Sequence, residues 1–194
     1  MERKVPFVEG EFYHIYNRGV EKRKIFLDHS DYERYIKLLY VCNSIERIQF
    51  RIIKDTPLEK IDRGAPLVAI GAYCLMPNHF HLLLTPLVDG GISTFMLKLQ
   101  TAYSMYFNKK GGRTGTLFQG PFKAEYVARD QYLQYLYAYI HLNPAVLKDP
   151  LWRTKGKINL NGLRNFIETY PYSSYGEYRE GVPVMTNPEP FPDY

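Results

Sequence analysis

The stretch that decides the fold is residues 65–86, APLVAIGAYCLMPNHFHLLLTP. Two mostly apolar runs flank Pro77-Asn78, a dipeptide that favours a turn. Runs of this length and composition, bounded by such a turn, read as two strands of a hairpin. The second strand opens with His79 and His81, two of only five histidines in the chain. Strand side chains alternate between faces, so His79 and His81 share one side and Phe80 points to the other. Two imidazoles side by side can bind one cation, and the turn before them leaves that end of the strand open to a ligand. Taken alone, an H-x-H pair is more often an unremarkable solvated edge, so its meaning depends on what surrounds it.

On the N-terminal side of the hairpin, Glu11–Arg18 (EFYHIYNR) is rich in aromatic and β-branched residues and stops at Gly19, which predicts a strand. Asp28 supplies a capping-type residue. Tyr32, Tyr35, Ile36 and Leu39 then recur at helical spacing, so a helix is expected from about Ser30 to Asn43. Residues 44–65 read as a connection, with a short strand expected at residues 48–53, IQFRII.

On the C-terminal side, Gly90-Gly91 breaks the pattern. Residues 92–110 predict a helix with Phe95, Leu99, Ala102 and Tyr106 along one face, and GGRTG at 111–115 a loop. Residues 122–128, FKAEYVA, predict a strand. A last helix should run from Asp130 to the Asn143-Pro144 boundary, with Leu133, Leu136, Tyr137 and Ile140 facing the core. The order of the first six elements is that of an α+β, ferredoxin-like βαββαβ fold: an antiparallel sheet with helices on one face. We expect one domain over residues 1–194, with a core of about 8–146 and a tail of about 147–194. That tail, which carries the only tryptophan, Trp152, should fold over the core. Its Pro-rich end, VPVMTNPEPFPDY, should be extended or partly mobile.

Composition narrows the classes. At 194 residues, 45% hydrophobic and 23% charged, the chain reads as globular. A net charge of +5 and 18 tyrosines suit a polyanionic, base-bearing partner without requiring one. Cys42 and Cys74 form neither a disulfide framework nor a metal-spaced cluster. Without a secretory leader or a spanning apolar run, the expectation is a soluble cytoplasmic protein with no membrane partner.

The last helix offers more polar chemistry. Tyr132, Tyr135 and Tyr139 lie off its core stripe, and Asn143 follows Tyr139 by four residues, on the same helical face. Preceding a proline, Asn143 should sit at a frayed end. His141, two residues from Tyr139, should point elsewhere. His14, on the first strand, is either packed or turned toward the histidine pair.

Five segments in order, YHIYNRGVEKRKIF, GAYCLMPNHFHLLL, GTLFQGPFKAEYV, YIHLNP and PYSSYGEY, resemble the REP-associated tyrosine transposases, relatives of the single-tyrosine HUH transposases of bacterial insertion sequences. The resemblance spans about Glu11 to Tyr178. It implies that HFH is the HUH metal motif, with His79 and His81 as ligands. It also implies that Tyr139 is the nucleophile and Asn143 the third ligand, where relatives often carry glutamine. Tyr135 and Tyr137 are close enough on the helix to compete with Tyr139. The implied cofactor is Mg²⁺ or Mn²⁺, and the implied substrate is single-stranded or hairpin DNA cleaved through a 5′-phosphotyrosine link. Candidate DNA contacts are Arg18, Arg23, Lys24, Lys109, Lys110, Arg113 and Lys123, each more often a solvated charge when taken alone. Either a monomer or a homodimer is compatible. Three rivals stand beside this reading. One is a non-catalytic binding module with an RRM-like sheet, against which the absence of an RNP-type aromatic motif counts. Another is a water-activating metal nuclease, which would want carboxylates beside HFH. The third is a domesticated relative that cleaves DNA without moving itself.

Overall fold

The computed structural model describes residues 6–46, 50–53, 55–154 and 160–193. Strand β1 (Tyr13–Arg18) leads into helix α1 (His29–Cys42) and a short helix α2 (Phe50–Ile53). The hairpin follows as β2 (Val68–Met76) and β3 (His79–Pro86). Helix α3 (Gly91–Lys110), strand β4 (Lys123–Tyr126) and helix α4 (Asp130–Leu142) complete the core. Helices α5 (Ala145–Lys148), α6 (Leu160–Glu168) and α7 (Tyr175–Glu180) belong to the tail. The sheet order is β2-β3-β1-β4, with every neighbouring pair antiparallel. That is the ferredoxin-like arrangement expected from the sequence.

Alternation gives the sheet two unlike faces. Tyr13, Ile15, Ile70, Tyr73, Leu75, Phe80, Leu82 and Leu84 join α1 and α3 in one apolar core. Cys74, Met76 and Leu83 face the other way, where Leu133, Leu136 and Ile140 of α4 cover them. The expected stripe of α4 therefore holds. That of α3 is shifted: Phe95 and Leu99 are buried, but Tyr103 and Phe107 take the places expected of Ala102 and Tyr106, which are only partly buried. With 3.6 residues per turn, a stripe over 20 residues drifts past a strict 3-4 spacing. Tyr106 instead donates from its hydroxyl to Asp31, 2.9 Å away.

Asp31 is fully buried on α1. Its carboxylate also accepts from Lys110 Nζ at 2.6 Å and from the Leu27 backbone N–H at 2.8 Å. A buried carboxylate is tolerated only when paired in this way, and the pairing ties the two helices of this layer together.

Two further expectations change. Residues 50–53 are helical rather than extended, and the start of the expected strand, 48–49, lies outside the described residues. The Pro-rich end is extended, but it is docked. Glu177 accepts from the backbone N–H groups of Val184, Met185 and Thr186 and from the Thr186 hydroxyl. Phe191 is buried against Phe12 and Tyr137. Gly71 makes that seat possible, since a Cβ there would lie 2.8 Å from the Phe191 ring and from the Tyr137 hydroxyl. The tail also follows the outer edge of β2, where Leu75 N–H donates to Tyr172 O, Ser174 N–H to Tyr73 O and Asn187 N–H to Ile70 O. An otherwise open sheet edge is thereby covered.

Candidate active site

The register of the sheet assembles the site. Arg18 stands opposite His79, and Tyr16 opposite His81, across β1 and β3. On the other side of β1, Lys123 stands opposite Tyr16, and Glu125 opposite His14. All of these residues lie on the sheet face away from α1 and α3. Helix α4 crosses the same face and brings the Tyr139 ring within 5.4 Å of the His81 ring and 6.0 Å of the His14 ring. The His79 and His81 ring centroids are 5.0 Å apart and nearly perpendicular. An open cleft of about 390 Å³ is lined by Arg18, Lys22, His79, His81, Lys123 and Tyr139, among others.

The helix geometry separates the three tyrosines that competed for one role. Tyr137 points to the opposite side, against Phe191, Tyr178 and His141. Tyr135 is more than half exposed and stacks on Tyr139 from farther out along the helix. Tyr139 is the one whose ring meets the imidazoles. Tyr16 is also near, but burial and its hydrogen bond to Glu125 push its phenol up to about 12.

The imidazoles are held neutral. Burial lowers His79 to about 4, helped by the Arg18 charge, and burial lowers His14 to about 4 despite Glu125. His81 is held well below its ordinary value by burial, with His14 and His79 adding to the effect. Their contacts favour one set of tautomers. Asn78 Oδ1 can only accept, so His79 Nδ1–H donates to it at 2.6 Å and leaves Nε2 with its lone pair. His14 Nδ1 faces the Glu125 carboxylate at 4.0 Å, which favours a proton there. His14 Nε2 then accepts, at 2.8 Å, from His81 Nδ1–H, and His81 Nε2 keeps its lone pair. Neutral imidazoles with one nitrogen tied to an outer partner and the other bare are in the form that ligates a divalent cation. Among the described residues, no group of three or more His, Cys, Asp or Glu is placed to hold a metal. Further donors would have to come from an amide, water or phosphate oxygens.

Asn143 is not frayed. Its backbone is helical, Pro144 is helical too, and the chain turns directly into α5. The side chain is buried, and Nδ2 donates to the Tyr139 carbonyl at 2.9 Å. It sits one turn beyond Tyr139, as expected, but it is not among the residues lining the cleft.

The basic residues divide. Arg18 and Lys123 line the cleft. Arg23 and Lys24 are exposed beyond it. Lys109, Lys110 and Arg113 are at the far end of α3, on the other side of the sheet. There Lys110 pairs with Asp28 and Asp31, while Arg113 bonds Asn108 and the Thr116 carbonyl. His141 points away, to Ser174 Oγ at 2.8 Å.

Several members were not picked out from the sequence. Alternation along β1 does put His14 and Tyr16 on one face, but only the register shows that Glu125 joins them, and Lys22 reaches the cleft from the turn after β1. Arg153, from the tail, was out of reach of any local pattern; its guanidinium lies 5.1 Å over the Tyr139 ring.

Comparison with known proteins bears on this arrangement. No curated protein is significantly similar to the chain. Among solved structures, one of a REP-associated tyrosine transposase bound to a REP hairpin matches 96% of this chain and 91% of its own, at 16% identity and a TM-score of 0.55. That likeness establishes the fold. A protein from Deinococcus radiodurans R1, proposed to be a transposase, matches 72% of this chain and 95% of its own at 16% identity, with a TM-score of 0.38. The family model described as "Transposase IS200 like" matches residues 64–143, which span both histidines, α3, β4 and α4 as far as Asn143. Over those residues the chain carries an IS200-like transposase sequence, on a fold shared with a REP-associated tyrosine transposase.

Proposed function

We propose that the protein cleaves and rejoins single-stranded or hairpin DNA through a covalent 5′-phosphotyrosine link at Tyr139, with Mg²⁺ or Mn²⁺ as cofactor. The observation that carries this reading is the seating of Tyr139 over a pair of neutral imidazoles whose bare nitrogens are free to bind a cation.

The Tyr139 oxygen attacks the scissile phosphorus, the phosphotyrosine bond forms, and the P–O3′ bond breaks, releasing a 3′-OH. A returning 3′-OH reverses the step, so the phosphodiester is conserved and strands can be exchanged. An ordinary phenol has a pKa of ~10, so presenting it as phenolate at neutral pH costs about 4 kcal/mol. His79 and His81 would hold the cation, with Asn143 Oδ1 as the remaining protein candidate; imidazole donors favour Mn²⁺ over Mg²⁺. When bound, the cation supplies Lewis-acid polarisation of the phosphate and a field that stabilises the phenolate. His14 and Glu125 orient His81. Arg18 and Lys123 sit where a DNA backbone entering the cleft would pass.

The test is a denaturing gel of protein with labelled hairpin DNA carrying single-stranded flanks, with Mn²⁺, Mg²⁺ or EDTA. Wild type should give a metal-dependent covalent band. Tyr139→Phe should abolish it and His79→Ala should reduce it at least about 100-fold. Cleavage without a covalent band would instead mean that water is the nucleophile. Binding with neither would support the non-catalytic module.

A further inference from the structure

A second cavity opens beside Tyr139, on the tail side. It encloses about 710 Å³ between the end of α4 and helices α6 and α7. Leu142, Leu163, Ile167 and Tyr175 make an apolar floor, and Trp152 makes an aromatic wall. Leu163 and Ile167 are part of a small packed cluster, against which Trp152 rests half-buried. Part of the cavity wall is therefore made of packed side chains.

Arg153 lines this cavity and also reaches over Tyr139, which lines the cleft. Its guanidinium is 5.1 Å from the Tyr139 ring centroid and 5.1 Å from the Trp152 ring centroid. The residue is exposed and has no carboxylate partner among the described residues. The other cation of the cavity, Arg164, is occupied by Glu168 at 2.7 Å. So, among the described residues, one unpaired positive charge links the candidate nucleophile to an apolar, aromatic-walled hollow.

We propose that this hollow receives the unpaired base of the nucleotide next to the phosphate that Tyr139 attacks, with Arg153 holding a phosphate of that nucleotide. This rests on the function proposed above and names how its substrate is seated. Three features fit a nucleotide. The wall matches a flat π surface, since bases stack on aromatic rings regardless of sequence. The apolar floor suits a base removed from water and unstacked from its strand. The Arg153 guanidinium is a bidentate fit for a phosphate, and its place between Tyr139 and Trp152 is where the phosphate of a base so seated would fall. An apolar peptide would leave Arg153 unpaired, and a fully paired duplex could not present a base to the hollow.

Trp152 is the only tryptophan of the chain, so its emission reports this cavity alone. Tyr139→Phe protein would be titrated with a pool of DNA hairpins bearing randomised single-stranded flanks, then with a bound member of that pool. Binding would be followed by the anisotropy of a labelled copy, and tryptophan emission with the unlabelled one. We expect binding to quench Trp152. Replacing flank nucleotides one at a time by abasic ones should restore emission at one position only, next to the cleaved bond. Arg153→Gln should flatten the salt dependence of binding by about 0.7 in log–log slope, one lost phosphate contact on a single strand. Trp152→Phe should keep most of the affinity, while Trp152→Ala loses about tenfold. Binding without quenching, or emission that no abasic position restores, would overturn the cavity assignment while a covalent band left the Tyr139 chemistry standing. No binding by any member of the pool would overturn both.

Discussion

The two faces of one sheet use alternate residues of the same strand for opposite ends. Along β3, Phe80, Leu82 and Leu84 point into the layer of α1 and α3, and each is fully buried in an apolar core. Their neighbours His79 and His81 point to the other face, where the covering is a single helix, a tail and an open cleft. The first face has its ionic group, Asp31, matched by Lys110, Tyr106 and a backbone N–H. The second keeps three imidazoles neutral by burial and strings them to Glu125 and Asn78. The apolar core is concentrated on one side and the proposed chemistry on the other, and the period of two along a strand separates them by a single residue.

That division can be broken most sharply within β3. Phe80→Ala should cost about 3–5 kcal/mol in urea unfolding, the usual effect of emptying a packed aromatic site. His79→Ala, one residue away, should move the urea midpoint little and remove the covalent DNA band. Equal stability losses from the two would mean that the faces are not separated as described.

The second face should be the acid-sensitive one. His14, His79 and His141 are lowered to about 4 by burial, whereas an unfolded chain's histidines titrate near 6.5. Between those values the unfolded chain binds protons that the folded one refuses, so stability falls as pH falls. In EDTA the midpoint of urea unfolding should be flat above about pH 7. It should drop from about pH 6.5 towards 4, with each histidine contributing up to about 1.4 kcal/mol per pH unit. Replacing His141 by Gln should flatten part of that slope; an unchanged slope would contradict its burial as a neutral base.

On the first face, Lys110→Met leaves Asp31 buried with only neutral donors. We expect a loss of about 2–3 kcal/mol, partly recovered in the double variant with Asp31→Asn. The smallest effect should be that of Glu125→Gln. It should leave unfolding unchanged and weaken Mn²⁺ binding, followed by electron paramagnetic resonance, by up to about tenfold, acting through His14, which holds the proposed ligand His81. Unaltered Mn²⁺ affinity would remove Glu125 from the site.

The hairpin, the two histidines on one face and the stripe of α4 were legible because period-2 and period-3.6 patterns are local. Tyr139 could be separated from Tyr135 and Tyr137 only by knowing where α4 lies on the sheet. The His14–Glu125 link depends on strand register, and Arg153 arrives from the tail across the fold. Lys109, Lys110 and Arg113 look like DNA contacts in a basic loop, but their position at the far end of α3 and the buried partner of Lys110 are tertiary facts. The Pro-rich end is low in secondary structure because its backbone donors go to Glu177 and to β2, which no local signal announces.

The most direct measurement is to trap the protein–DNA adduct on hairpin DNA with Mn²⁺, digest it, and locate the modified residue by mass spectrometry. Our account expects a nucleotide 5′-phosphate on the Tyr139 side chain and on no other tyrosine. Attachment at Tyr135, Tyr137 or Tyr16 would contradict the assembly of the site around His79 and His81.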